Sequence, residues 1–471
     1  MLTVTADKLA HAIGGRLVSG SSAVRVTGIA IDSRAVEPGD AFVALPGEHH
    51  DGHDFVLDVL SRGASSVIIT RPLDEVEGLC EAAMSVGAAV VEVPDALTAL
   101  QDLASWQRDR LGAVVVGVTG STGKTTTKDM LTSVLARRRR TVATTGNRNN
   151  ELGAPLTILE ADADTEVLVV EMAMRGLGEI ARLAEITRPV IGLVTNVGQS
   201  HIEFVGSEDA IAEAKGELVA AIPPDGVVVL NADDARTGEL LVRAQARVSR
   251  YGMAPDADVR AENVTLDEMS HPSFDLVIGD RRIPVTLPLP GRHNVYNALA
   301  AAAVALELRI GLEDIAEGLS AATVTDMRMQ TFVTASGTTV VNDAYNANPT
   351  SMRAAVDTLA AMTADGRRIA VLGDMAELGS YTDLAHFRIG EHVARSGVEA
   401  LVTVGERATR IAEGARAAGM PAARIAAFPS VEAAKEALPT SVGCGDIVLV
   451  KASRVMGLER LVDGLVSPDV H

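Results

Sequence analysis

The sequence predicts an α/β protein of three domains, in which a central P-loop domain on a parallel sheet is followed by a doubly wound C-terminal domain. Three observations lead there. Short β-rich runs alternate with helix-like stretches over most of the chain, the signature of parallel strands joined by helical crossovers. One of those strands runs directly into a Gly-containing loop and a helix start, an arrangement suited to phosphate. The 471 residues also exceed what one ordinary core organises.

The first block, residues 1–106, carries strand-like runs at Val24-Arg25-Val26, Ala41-Phe42-Val43-Ala44-Leu45 and Ser66-Val67-Ile68-Ile69, separated by Gly-rich turns. The second, residues 107–325, opens with the apolar run Ala113 to Val118. Val167-Leu168-Val169-Val170 and Gly226-Val227-Val228-Val229-Leu230 then alternate with helical stretches, which reads as a parallel sheet. The third, residues 326–471, repeats the alternation at Thr339-Val340-Val341, Arg368 to Leu372, Ala400 to Val404 and Ile447 to Val450, as a small doubly wound domain does.

Composition narrows the partners. Aromatic residues make up 3% against 47% hydrophobic residues, so the cores must be built from Ala, Val, Leu and Ile. With 42 basic and 62 acidic residues the net charge is -20, which argues against nucleic acid or an anionic membrane surface as the main partner. An anionic small substrate remains compatible, because a local basic pocket can sit in an acidic surface. The two cysteines, Cys80 and Cys444, have no metal-ligand spacing and read as buried thiols in a reducing compartment. The first residues show no basic run followed by an apolar stretch, and no apolar run approaches membrane-spanning length. A soluble cytoplasmic monomer is expected.

The phosphate loop is Thr119-Gly120-Ser121-Thr122-Gly123-Lys124-Thr125-Thr126, after the strand Val114 to Val118. Gly120 and Gly123 allow backbone N–H groups to converge on phosphate oxygens, Lys124 reaches the β/γ phosphates, and the Thr125 hydroxyl can ligate Mg²⁺. Met130, Leu131, Val134 and Leu135 form one apolar stripe on the helix that follows. A strict Walker A pattern has Gly where this chain has Val118. The Arg137 to Arg140 run reads as cations favoured at a helix C-terminus. The cluster around His49, His50, Asp51, His53 and Asp54 lies in a loop without a paired second ligand set, and is not read as a metal site.

Motifs further along the chain resemble those of the Mur ligase family, in that family's order. They are Glu171 within Val170-Glu171-Met172-Ala173-Met174, Thr195-Asn196-Val197-Gly198 leading to His201, Glu213-Ala214-Lys215-Gly216-Glu217, Gly291 to Ala300, Arg328, and Asn342-Asp343-Ala344-Tyr345-Asn346-Ala347-Asn348-Pro349. Thr119 to Thr125 is similar to that family's loop, Val118 included. Two stretches, Thr145 to Pro155 and Tyr345 to Met352, resemble the members that accept D-alanyl-D-alanine, and Asp-Asn-Pro-Arg, usual in the members that add the third residue, is absent. Ala173 and Ala452 stand where the family commonly has Gly.

The resemblance implies an ATP-dependent amide ligase that activates a carboxylate as an acyl phosphate, with UDP-N-acetylmuramoyl-tripeptide and D-alanyl-D-alanine as partners. It implies that Lys124 and Arg328 face the γ-phosphate, and that Thr125 and Glu171 share one Mg²⁺. His201 and a carbamylated Lys215 then serve a second metal, Asn294 and Asn297 contact adenine, and Asp343 contacts ribose. Ser33, Arg34 and Gly47 fall in the uridine-diphosphate-binding block, and Asn149, Asn150, Tyr345, Asn346, Asn348 and Ser351 toward the peptide substrates. As bare residues these read otherwise: Arg328 as a surface ion-pair partner, His201 as a structural histidine, Lys215 as a solvated helix lysine, and Asn294, Asn297 and Asp343 as loop residues. Two alternatives are a ligase for another amine, and a P-loop switch or motor that hydrolyses ATP without any acceptor.

Overall fold

The computed structural model describes residues 1–47, 50–199 and 202–466, and builds three large sheets from successive parts of the chain, beside a short antiparallel pair of Val4–Thr5 with Arg25–Val26. The first has five strands in the order Arg16–Ser19, Ala89–Glu92, Ser66–Ile69, Asp40–Val43, Gly28–Ala30. They are parallel except at the Arg16–Ser19 edge. The buried side of Phe42, Val67 and Val90 packs on the helices Val56–Ser61 and Leu79–Val86. Helix Ala96–Arg108 then docks this block on the central one, where Gln107 Nε2 donates to the carbonyls of Ile158 (2.8 Å) and Ala161 (2.9 Å).

The central sheet has nine strands. Val114–Thr119 lies between Ile191–Val194 and Val167–Glu171, parallel to both, and its apolar residues from Val115 to Val118 are fully buried. Helix Lys124–Leu135 covers it, with Met130, Leu131, Val134 and Leu135 all turned inward as the stripe predicts. The Ala-rich helix His293–Glu307 packs on the same helix. Helix Leu312–Ser320 approaches Lys124–Leu135 closely as well: a Cβ on Gly318 would lie 2.6 Å from the Val134 Cα.

The sheet is not parallel throughout. Val259–Leu266, Pro272–Ile278 and Arg281–Thr286 extend it as antiparallel hairpins. The two-residue turn Gly279-Asp280 leaves no room for a crossover helix, and Gly279 supplies the positive φ (+56°) that a tight hairpin needs.

The third sheet runs Gln330–Val333, Thr339–Asn342, Ile447–Lys451, Arg368–Gly373, Ala400–Val404, Ile425–Phe428, with only its first strand antiparallel. Strands from the start and end of this block are neighbours, so the strand order reverses there. The crevice at the carboxyl ends of the strands is where such sheets bind ligands. Asp343 and Lys451 sit at those ends.

Several expectations change. Cys444 is exposed, in the turn just before Ile447–Lys451, and Cys80 is only half-buried, so the two thiols are not both core residues. The arginine run does more than face a helix end. Arg138 pairs with Asp314 (2.7 Å), Arg139 with Glu166 (2.8 Å) and Arg140 with Asp164 (2.8 Å). His53 is buried with both ring nitrogens engaged, by Asp51 (2.6 Å) and the Thr70 N–H (3.0 Å). His49 lies outside the described residues.

Candidate active site

The phosphate loop is shaped by two glycines that nothing larger could replace. Gly120 and Gly123 have φ of +148° and +78°, and a Cβ at either would fall 1.8 Å from Thr195 Oγ1 or 2.4 Å from Asn297 Oδ1. Thr195-Asn196-Val197-Gly198 braces the loop from the next strand. The Thr122 N–H donates to Asn196 Oδ1 (3.0 Å), Thr195 Oγ1 to the Thr122 carbonyl (2.6 Å), and Ser121 Oγ to the Gly198 carbonyl (2.7 Å). Nothing within the four residues signals this bracing task, which depends on contacts 73 to 77 residues away along the chain. Thr119 is buried behind the loop, its hydroxyl donated to the Met172 carbonyl (2.8 Å).

Lys124 begins the helix and donates to the Gly120 carbonyl (2.7 Å). Desolvation lowers its pKa; the Glu171 carboxylate partly offsets this and the Arg328 guanidinium adds to it. Arg328 arrives from the third block, donates to Thr125 Oγ1 (2.8 Å), and stacks over Tyr345 at 4.2 Å. A surface ion-pair reading is excluded by this setting.

Glu171 ends its strand 1% exposed, with Oε1 accepting from Asn149 Nδ2 (2.8 Å) and its N–H bonded to Thr144 Oγ1 (3.0 Å). Its Oε2 is buried without a hydrogen-bond partner among the described residues. An orphaned carboxylate oxygen lining the same cleft as the Thr125 hydroxyl suits a hard divalent cation. Lys215, on the helix Glu208–Ala221, is 2% exposed, and burial, reinforced by Lys124, pushes its pKa well down. It is no solvated helix lysine. His201 lies outside the described residues.

Lys124, Thr125, Glu171 and Arg328 open on a cleft of about 790 Å³ between the central and third sheets, whereas Lys215 is buried and does not line it. Asn294 and Asn297 line it beside Tyr251 and Tyr296. Asn297 Nδ2 donates to Asn294 Oδ1 (2.8 Å), and Asn294 Nδ2 to the Pro290 carbonyl (2.8 Å). Asp343 pairs with buried Lys451 (2.6 Å), which also donates to the Asn346 carbonyl (2.8 Å). Lys451 is a further lining residue, marked in the sequence only as a lysine that closes an apolar strand. Asn150, Tyr345, Asn346, Asn348 and Ser351 line the cleft too. Asn348 and Ser351 form a reciprocal cap on helix Pro349–Ala361, and Asn150 Oδ1 accepts from the Gly153 N–H (3.0 Å), so part of their polar capacity is structural.

Ser33, Arg34 and Gly47 are not brought to this cleft. Arg34 is exposed on the first block and grips Asp32 with two bonds (2.9 and 2.7 Å), holding that carboxyl down at about 2. The Gly47 N–H donates to the His50 carbonyl (2.9 Å).

Comparison with known proteins gives matches in the same order. Residues 25–108 match the Mur ligase family catalytic domain, 118–305 the Mur ligase middle domain, and 327–454 the Mur ligase glutamate ligase domain. A UDP-N-acetylmuramoyl-tripeptide–D-alanyl-D-alanine ligase of Mycobacterium tuberculosis is 41% identical over 100% of this chain and 99% of its own length. The crystal structure of MurF from Acinetobacter baumannii superposes with a TM-score of 0.87 at 33% identity, covering 98% of this chain and 99% of that one. MurF ligase from Thermotoga maritima, in complex with ADP, gives 0.80 at 28% identity over 93% and 97%. The chain belongs to the Mur ligase family.

Proposed function

We infer that this chain joins D-alanyl-D-alanine to UDP-N-acetylmuramoyl-tripeptide at the expense of ATP, forming ADP and phosphate, in cytoplasmic synthesis of peptidoglycan precursors. Full-length similarity to ligases of that name supports the substrates. The observation that carries the chemistry is the meeting of Lys124 and Arg328, from separate sheets, at one phosphate loop beside buried Glu171. A carboxylate is a poor electrophile. The terminal carboxylate of the tripeptide therefore attacks the γ-phosphorus, ADP leaves, and the amine of D-alanyl-D-alanine attacks the acyl phosphate and expels phosphate. Two anions must approach in the first step, and cations fixed in advance stabilise that transition state.

In this reading Lys124 and Arg328 bracket the γ-phosphoryl group. Residues 119–126 cradle the phosphates, Asn294 and Asn297 border the base, and Asp343 the ribose. Ser33, Arg34 and Gly47 hold the uridine diphosphate, while Asn149, Asn150, Tyr345, Asn346, Asn348 and Ser351 border the peptide substrates. Thr125 and Glu171 would hold one Mg²⁺, and His201 with Lys215 a second; when bound, these ions screen phosphate charge. Burial favours the neutral amine of Lys215, the form that takes up CO₂ to become a carbamate.

The test is phosphate release from ATP with the nucleotide tripeptide, with and without D-alanyl-D-alanine. Sustained release that needs both substrates is expected. Release from ATP alone would make the chain a hydrolytic switch, and release with a different amine would move it to another ligase.

A further inference from the structure

The helix of the phosphate loop carries a charged pair, Lys128 and Asp129, one turn beyond Lys124 and Thr125. Their side chains are only 6% and 11% exposed and meet at 2.5 Å. A buried ion pair is weak evidence for stability, so its use must be sought in what it holds. Asp129 Oδ2 accepts from both the N–H (2.8 Å) and the hydroxyl (2.9 Å) of Thr325, where the chain leaves the central block for the third. Lys128 Nζ donates to the Thr144 carbonyl (2.8 Å), and the Thr144 hydroxyl holds the Glu171 backbone.

Arg328 lies three residues after Thr325. Its neighbours Met327 and Met329 have φ of +62° and +54°, a left-handed conformation that side chains with a Cβ adopt reluctantly. Such a conformation persists only where its surroundings hold it in place. On the far side, Tyr345 and Asp343 take up the Met327 carbonyl and the Met329 N–H. On the near side, the anchor is Asp129.

We propose that Asp129, neutralised by Lys128, is a positioning residue that fixes Arg328 over the phosphate loop by clamping Thr325 to the helix that also carries Lys124. The proposal rests on the assignment of Arg328 to the γ-phosphate. Helix, cation and third domain are thereby registered through one carboxylate. Displacing a transition-state cation by even an ångström lowers turnover without weakening ground-state binding in proportion.

The experiment measures kcat and the KM for ATP in the full enzyme for Asp129→Asn, Arg328→Ala and the double variant. Asp129→Asn should lower kcat about 10- to 100-fold, the scale of a lost charged hydrogen bond, with the KM for ATP within about threefold. In the Arg328→Ala background the same change should cost less than about threefold, because its route of action is gone. Unchanged kcat, or an equal loss in both backgrounds, overturns the proposal while leaving the arginine assignment standing. Unchanged kcat in Arg328→Ala alone overturns that assignment and the proposal with it. Should Asp129→Asn fail to fold, Thr325→Val removes only the hydroxyl bond. It should lower kcat about three- to tenfold with the same dependence on Arg328, and an independent loss refutes the clamp.

Discussion

Lys124→Met separates catalysis from stability, because the structure makes the two respond in opposite directions. The substitution keeps an unbranched chain of similar length and removes only the charge and the bond to the Gly120 carbonyl. That charge is costly in the free enzyme: desolvation, with the Arg328 guanidinium, holds the ammonium below its ordinary pKa. Its removal should leave the melting temperature unchanged or slightly raised. In the reaction the same charge faces a phosphoryl group. A unit charge about 4 Å away at an effective dielectric of about 20 contributes about 4 kcal/mol. Arg328 makes its own separate contribution and remains, so the greater part of the Lys124 term, about 3 kcal/mol, is what the variant loses, and the expected loss in kcat is about 10²-fold or more. Phosphate release with both substrates measures the rate, and a thermal melt of the same sample measures stability. Near-normal turnover in the folded variant would refute the phosphate-loop assignment. A rate loss matched by a fall of many degrees in melting temperature would show a structural lysine instead.

Other outcomes follow from the same geometry. Gly123→Ala places a Cβ 2.4 Å from Asn297 Oδ1 at a positive φ, and should weaken ATP binding at least about tenfold by titration; wild-type affinity would refute the close approach. Lys215→Ala should fold yet be nearly inactive, with partial recovery in added short carboxylates, and full activity without them would return Lys215 to a structural role. Arg34→Ala should raise the KM for the uridine nucleotide and leave that for ATP nearly constant, and the reverse pattern would misplace the substrate block. Buried His386 accepts the Met375 N–H (2.9 Å), and desolvation lowers its pKa below the unfolded value. The unfolded chain therefore takes the proton first, and stability falls as pH drops below about 6.5, by at most about 1.4 kcal/mol per pH unit. His386→Gln should flatten that part of the urea-melt profile, and an unchanged slope would exclude this histidine as the cause.

What the sequence determined by itself is whatever depends on near neighbours. Val114 to Thr126 spells strand, loop and helix in thirteen consecutive residues, so the phosphate cradle and the stripe from Met130 to Leu135 are legible without a fold. The three alternating blocks are legible for the same reason, since a buried parallel strand is a short apolar run. The Gly279-Asp280 turn is local as well, although the hairpin it makes departs from the strand–helix alternation of the rest of the block. Tertiary structure decided the roles that depend on distance along the chain. Arg328 meets Thr125 across 203 residues, and nothing in the residues around Arg328 distinguishes it from a surface arginine. Lys215 reads as solvated on its own helix and is buried only because other elements close over it. Asn348 and Ser351, expected at the peptide substrates, also cap a helix, and Lys451 becomes the partner of Asp343 only when the strands Thr339–Asn342 and Ile447–Lys451 lie side by side. A side chain's charge state and bonding are properties of its surroundings, and in this protein those surroundings are assembled by packing between blocks.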